Sequence, residues 1–393
     1  MKVMWVSNFL REEGRGPLFR LLNMMEPMSD CCELTLASFG PMDDDIKEYA
    51  DRLGVPYFTV NYEHKGWFVT NADEIADSII GEAVKRNTDI IVLTWEIWDI
   101  ALAIKERARC LGIKFAVVMH SVPFVGMLRK KHGFIRDILV RAMRENQFMI
   151  KKYLLTRARN CRAHLKEMNI ITMTPTVQMR LNEYMDGLKL FTAYPGYAAD
   201  VSPRGIAQRY DFSFMARFEQ GKGIYRLIKI LSHIKKQKKD FSLVMIGTFT
   251  YKNDEEKFKR LLEKHGLTEN VIFTGWLDGE EKYSYLEASR IFIYPSYEGD
   301  TFSISCLEAL GMGKKIVCYD APFVRCNYAE LDNVFKIRMF DDSAFADKCV
   351  ALLGEGDLFN SEGVEFARNR YSGWDEVAKA EYNCYLQITG GED

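Results

Sequence analysis

Two cations and three carboxylates stand out by residue type and spacing. Arg217 and Lys222 lie in Phe214-Met-Ala-Arg-Phe-Glu-Gln-Gly-Lys-Gly223. Arg217 follows an apolar run that reads as a strand, and Lys222 stands where a helix begins. A guanidinium fork and an ammonium point charge placed there would converge on a diphosphate. Alone, such a pair is an ordinary surface arrangement; a second stretch gives it a ligand. Glu298, Asp300 and Glu308 fall in Tyr294-Pro-Ser-Tyr-Glu-Gly-Asp-Thr-Phe-Ser-Ile-Ser-Cys-Leu-Glu-Ala-Leu-Gly-Met-Gly313. This reads as a strand end, a polar loop, and a helix that starts near 303–305 and stops at 311–313. Helix-opening amides suit a phosphate, while ionised carboxylates only accept and so suit hydroxyls. Phosphate and hydroxyls on one ligand point to a sugar nucleotide.

The elements that must position these residues are alternating strands and helices. Apolar runs predict strands at Lys2–Ser7, Glu33–Ser38, Pro56–Asn61, Asp89–Thr94, Lys114–Met119, Ile170–Met173 and Lys189–Ala193. Helical spacing appears between them, as in Asp73–Lys85 and Trp98–Cys110. A turn-rich linker, 194–205, interrupts the pattern. It resumes with strands at Asp211–Ala216, Phe241–Ile246, Asn270–Phe273, Ile291–Tyr294, Lys315–Tyr319 and Val334–Ile337. Continuous Val/Ile/Leu strands alternating with helices mean parallel sheets covered on both faces. Two α/β domains are expected, 1–195 and 206–373, with a final helix over 374–388 and disorder from Thr389 onward. In the second domain Leu243-Val-Met-Ile-Gly247 and Val271-Ile-Phe-Thr-Gly275 each end a strand on glycine. Such a glycine either lets backbone approach a ligand or makes a tight turn.

From about 208 to 320 these residues resemble the retaining GT-B glycosyltransferases of family four. The family's Arg-x4-Lys-Gly is met by Arg217, Lys222 and Gly223, and its strand glycine by Gly247. Its Val-x-Phe-x-Gly is met by Val271 to Gly275, and its acid-x7-Glu by Asp300 and Glu308. The resemblance implies a GT-B fold of two Rossmann-like domains, with the last helix crossing back onto the first. It implies that Arg217 and Lys222 neutralise the donor diphosphate, that Asp300 holds the donor sugar and that Glu308 binds the ribose. The amides of Phe302, Ser303 and Ile304 would cap phosphate and sugar, and backbone around Gly275 and Trp276 would meet the base. The family usually has Glu at the first acidic position, so Glu298 is the alternative to Asp300. In the first domain, Gly16 in Gly14-Arg-Gly16-Pro17 sits where the family has a glycine-rich loop near the phosphates. His120, after the strand 115–119, matches a family histidine facing the donor sugar. Trp95 and Glu96 follow another strand end and could equally be acceptor contacts or a packed ring with a solvated acid.

Net charge is −2, yet residues 126–168 hold twelve Lys/Arg against Asp137, Glu145 and Glu167. Around 133–144 apolar residues keep helical spacing beside Arg136, Arg141 and Arg144, and Arg129, Lys130 and Lys131 extend the charge. A basic amphipathic helix reads as a membrane-surface element; an ordinary helix with an exposed basic face is the alternative. Nucleic acid is disfavoured, since no recognition motif accompanies the charge. Asp43-Asp-Asp45 looks like a metal clamp but stands at a helix start, where carboxylates complement the dipole. Asp254–Lys259 reads as a charged helix face. No apolar run reaches the roughly 18 residues of a membrane helix. Nine scattered cysteines give neither a disulfide framework nor a zinc site, which fits a reducing cytoplasm.

The expectation is a retaining, metal-independent glycosyltransferase without a cofactor. It would move a sugar from a UDP- or GDP-sugar to a hydroxyl acceptor, lipid-linked or at a membrane surface, in polysaccharide or glycolipid assembly. It would be cytoplasmic, peripheral at the inner face of the membrane. Two alternatives share the architecture: a nucleotide-sugar 2-epimerase, and a non-catalytic sugar-nucleotide-binding membrane protein.

Overall fold

The computed structural model describes residues 1–65, 68–94, 98–120, 164–194, 196, 202–277, 279–297, 302–356, 358–370 and 373–391. The chain forms two compact units, Met1–Gly196 with Gly373–Asp393, and Tyr197–Ser372.

The first unit is built on seven strands: β1 (Lys2–Ser7), β2 (Glu33–Phe39), β3 (Tyr57–Val60), β4 (Ile90–Leu93), β5 (Lys114–Met119), β6 (Asn169–Thr172) and β7 (Lys189–Thr192). All pair in parallel, in the order β3-β2-β1-β4-β5-β6-β7. Side chains alternate between faces: Met4 and Val6 enter one apolar core, Val3 and Trp5 the other. That two-sided burial is why the strands read as continuous apolar runs. The described helices are α1 (Arg11–Cys31), α2 (Asp44–Arg52), α3 (Ala72–Arg86), α4 (Trp98–Cys110) and α5 (Pro175–Tyr184). A short hairpin, His64–Lys65 with Phe68–Val69, lies between β3 and α3.

The second unit has six strands: β8 (Tyr210–Met215), β9 (Leu243–Ile246), β10 (Val271–Gly275), β11 (Ser289–Tyr294), β12 (Lys315–Tyr319) and β13 (Val334–Ile337). Its helices are α6 (Ile224–Gln237), α7 (Lys252–Lys264), α8 (Gly279–Glu287), α9 (Ile304–Gly311), α10 (Pro322–Asn327), α11 (Asp342–Leu353) and α12 (Ser361–Arg370). The parallel order is β10-β9-β8-β11-β12-β13, so the winding reverses between β8 and β11. In open α/β sheets ligands bind outside the carboxyl ends of the strands at such a reversal. Near the start of this unit, the N–H groups of Arg204, Gly205 and Ile206 all donate to Glu287 Oε1, at 2.7, 2.6 and 3.1 Å. One carboxylate at the end of α8 thus fixes where the domain begins.

Helix α13 (Trp374–Thr389) belongs to the first unit and packs against α1 and β7. It carries Glu381, fully buried, whose Oε2 lies 2.5 Å from Nη1 of Arg20 on α1. The Arg20 Nε–H donates to the carbonyl of Tyr194 at 3.0 Å. The Tyr385 hydroxyl donates to Glu381 Oε1 and accepts from the Trp5 indole N–H at 2.9 Å. Burial, together with the Glu381 charge, holds the Tyr385 phenol well above its usual pKa, so it stays a donor.

Several details differ from the sequence reading. Gly14 and Gly16 lie inside α1, not in a loop, because the helix begins at Arg11. Strand β9 begins at Leu243, two residues late. Strand β10 runs through Gly275, carried by a register shift that pairs Gly275 with Ile246. Thr389 is helical, its hydroxyl donating to the carbonyls of Tyr385 and Leu386 at 2.9 and 3.1 Å.

The buried Arg20–Glu381 pair generates a prediction. Glu381→Ala leaves the Arg20 cation buried without its counter-charge and is expected to destabilise the first domain by about 3–5 kcal/mol. The double variant Arg20→Met/Glu381→Leu removes both charges and costs less. Chemical denaturation followed by the fluorescence of Trp5 measures both.

Candidate functional site

The loops at the carboxyl ends of β8, β9 and β11 are stitched to one another by backbone. After β8 a single 3-10 turn, Gln220–Lys222, leads into Gly223 at φ +86°, which caps the start of α6. A Cβ on Gly223 would lie 2.1 Å from the Pro295 carbonyl oxygen, which follows β11. The Tyr297 N–H donates to the Gly221 carbonyl at 3.1 Å, and the Ser296 hydroxyl to the same oxygen at 3.3 Å. On the other flank Gly247 has φ +135°, and a Cβ there would lie 2.0 Å from the Ala216 carbonyl oxygen. The strand-end glycine of β9 therefore answers to the protein's own backbone. Gly275 has φ +79° with open space around its Cβ position.

Arg217 is half-exposed, and its Nη1 lies 2.9 Å from Glu219 Oε1. That oxygen also accepts from the Thr250 hydroxyl at 2.7 Å, so the guanidinium is held on one side. The Lys222 ammonium lies 3.4 Å from the hydroxyl of Tyr294, the buried last residue of β11. Ser303 has φ +68°; its side chain accepts from the Cys306 N–H at 3.3 Å, and its carbonyl accepts from the Tyr328 hydroxyl at 3.0 Å. Phe302 is buried on the Tyr328 ring, 5.8 Å away. These contacts fix the opening turn of α9, whose first amides have no intrahelical acceptor; Ile304 is exposed there. Glu308, one helical turn inside α9, is 8% exposed. Its Oε1 takes the Lys282 ammonium at 2.7 Å and the Tyr283 hydroxyl at 3.1 Å, both from α8. Trp276, just past β10, is exposed.

Arg217, Lys222, Phe302–Ile304 and Glu308 thus flank the β8/β11 reversal within one domain. Glu298 and Asp300, the rival first acids, lie outside the described residues. Four partners were not read from sequence: Glu219, Lys282, Tyr283 and Tyr294. Nothing in local spacing links Lys282 to Glu308, which sits on a different helix. A separate hollow of about 520 Å³ is lined by Leu331, Glu362, Glu365, Phe366 and Asn369. Its two carboxylates would repel a diphosphate.

In the first domain His120 follows β5, as expected, and is half-buried. Burial and the nearby Arg20 cation lower its pKa to about 3, opposed by a hydrogen bond to the Thr94 backbone. It is neutral at pH 7 and adds no cation. Trp95 and Glu96, and Arg129, Lys130, Lys131, Arg136, Arg141 and Arg144, lie outside the described residues. Asp44 and Asp45 open α2, where Asp44 pairs with Lys47 at 2.7 Å. Among the described residues Glu106, His164 and Glu167 are grouped closely enough to share a metal ion. The Lys105 ammonium already lies against both carboxylates.

With this geometry, residues 203–358 match the family of glycosyl transferases group 1. The match lies within the second unit and leaves the first outside it. An uncharacterised glycosyltransferase of Methanocaldococcus jannaschii is 34% identical over 105 residues, 26% of each chain. A phosphatidyl-myo-inositol mannosyltransferase of Mycobacterium leprae is 27% identical over 108 residues, 27% of each chain. The matches thus span about a quarter of these relatives' own length. Solved structures extend the likeness over the whole chain. A glycosyltransferase from Rickettsia africae has a TM-score of 0.71 at 18% identity, covering 100% of this chain and 99% of that one. Sucrose-phosphate synthase from Thermosynechococcus elongatus has a TM-score of 0.74 at 14% identity, covering 99% and 100%. Anabaena HepE in complex with UDP has a TM-score of 0.71 at 13% identity, with the same coverage. The two domains have the GT-B fold of these structures. Among the described residues no helix is long and apolar enough to cross a membrane.

The lowered His120 pKa carries a stability signature. The unfolded chain binds this proton below about 6.5 and the folded chain only below about 3. Stability is therefore lost as pH falls through that window and is fully present above it. His120→Gln removes the term, so its unfolding free energy should decline less steeply than that of the wild type between these pH values, read by denaturant titration at each pH.

Proposed function

We propose that the chain is a retaining glycosyltransferase that takes its sugar from a nucleotide-sugar donor held on the second domain. The observation that carries this is the placement of Arg217, Lys222 and the opening amides of α9 around one strand-order reversal, with Glu308 beside them. Arg217 and Lys222 oppose the charge that grows on the diphosphate as the glycosidic bond breaks, and the α9 amides add to it. Glu308 accepts from the ribose hydroxyls. The first acid of the pair, Asp300 in this reading, accepts from hydroxyls of the donor sugar. Reaction takes place on one face of the sugar, with the leaving phosphate accepting the acceptor proton. Two cationic side chains and a helix terminus supply the charge that a divalent ion would otherwise supply. The UDP complex of the structurally similar HepE supports a nucleotide partner of this kind. The basic segment 126–168 directs the enzyme to an anionic membrane surface and a lipid-linked acceptor.

Thermal-shift screening against UDP-, GDP- and ADP-sugars tests the donor, because a ligand that binds the folded state raises its melting temperature. At least one is expected to do so, and silence from all three would sink the reading. In turnover assays Lys222→Ala should lower kcat by about 10²–10³, and excess EDTA should leave it unchanged. Activity that survives Asp300→Ala but is lost in Glu298→Ala would move the first acid to Glu298. The membrane reading predicts sedimentation with anionic liposomes that weakens when Arg129, Lys130, Lys131, Arg136 and Arg141 are neutralised; equal binding by both proteins refutes it.

A further inference from the structure

The ion pair between Lys282 and Glu308 has a consequence for ligand choice. The Lys282 ammonium lies 2.7 Å from Glu308 Oε1, with side chains only 17% and 10% exposed. It also lies 4.6 Å from the centre of the Tyr283 ring, while the Tyr283 hydroxyl reaches the same Glu308 oxygen. A solvated surface lysine is not held on two sides in this way. An ammonium has three N–H donors, and among the described residues Glu308 is its one hydrogen-bonding partner. The pair thus places acceptor and donor side by side between α8 and α9, on the same domain as Arg217 and Lys222.

A carboxylate alone accepts from any hydroxyl and sets no requirement on the neighbouring oxygen. A carboxylate with a fixed ammonium does set one: one hydroxyl donates to Glu308 while the adjacent oxygen accepts from Lys282. Two vicinal oxygens meet that demand together, whereas a sugar lacking one of them leaves a partly buried ammonium donor unmatched. We propose that Lys282 is a nucleoside-recognition residue that acts with Glu308 on the vicinal hydroxyls of a ribose, and so selects ribonucleotides over 2'-deoxyribonucleotides. This rests on the assignment of Glu308 to the ribose.

The test is calorimetric binding of UDP, GDP and ADP, each against its 2'-deoxy form, to the full chain and to Lys282→Met, Lys282→Arg, Lys282→Gln and Glu308→Gln, with a melting curve for every protein. The wild type should prefer the ribonucleotide at least tenfold. Lys282→Met should compress that preference below about threefold while the deoxy form binds nearly as before, and Lys282→Arg should keep most of it. If Lys282→Met weakens both forms equally and the ratio stands, the lysine only neutralises a buried acid, and the inference is overturned. If Lys282→Met fails to melt cooperatively, the ratio in Lys282→Arg and Lys282→Gln decides in its place. A wild type that binds none of the three nucleotides, or a preference that Glu308→Gln leaves intact, instead overturns the ribose assignment itself, and Lys282 falls with it.

Discussion

The second domain depends on two places where backbone approaches backbone too closely for any side chain. Gly223 meets the Pro295 carbonyl and Gly247 meets the Ala216 carbonyl. Both glycines also hold positive φ, so the requirement is conformational as well as spatial. The loop after β8 is thereby wedged between the ends of β9 and β11, and hydrogen bonds from Tyr297 and Ser296 close it down. Lys222, at the end of this loop, lies 3.4 Å from the Tyr294 hydroxyl. Polar groups set by such contacts need little reorganisation when a charged ligand arrives, which is where electrostatic stabilisation draws its strength.

The charged groups of the site come with resident partners. Arg217 has Glu219, itself fixed by Thr250, and Glu308 has Lys282. The environments differ. The Arg217 pair is half in water, where an ion pair contributes little and exchanges readily. The Lys282 pair is mostly covered, so losing one partner would strand the other. The first cation can exchange its partner at little cost, while the second is held to its carboxylate. In the first domain Arg20 and Glu381 are more buried still, tied into a chain that runs from Tyr194 to Trp5.

Much of the fold was legible because both sheets are covered on both faces. That burial writes continuous apolar runs into the sequence, and α4 could be delimited to its observed ends. Where the pattern depends on partners rather than composition it misleads. β10 reaches Gly275 only because a register shift finds it a partner in Ile246. Gly14 and Gly16 looked like a loop because glycine is a poor helix former, yet α1 absorbs both. In the site, Arg217, Lys222 and Glu308 were readable because each keeps a fixed distance from a strand or helix end. Lys282 and Glu219 were not, because their significance comes from what they touch. The close approach of Gly247 to the Ala216 carbonyl was not legible either, because it joins residues far apart in the sequence.

The placement of α13 also bears on synthesis. Val377, Ala378, Cys384, Tyr385 and Ile388 belong to the same apolar core as Val3, Trp5 and Met24, although they stand at opposite ends of the chain. The N-terminal domain cannot complete this core while the ribosome is still making the second domain, whose residues are all released before α13. Domains usually fold in the order of synthesis, N-terminal first. In this chain the domain that begins first waits for a segment made after the second, and until α13 emerges the core shared by α1, α2 and the sheet lacks part of its apolar packing.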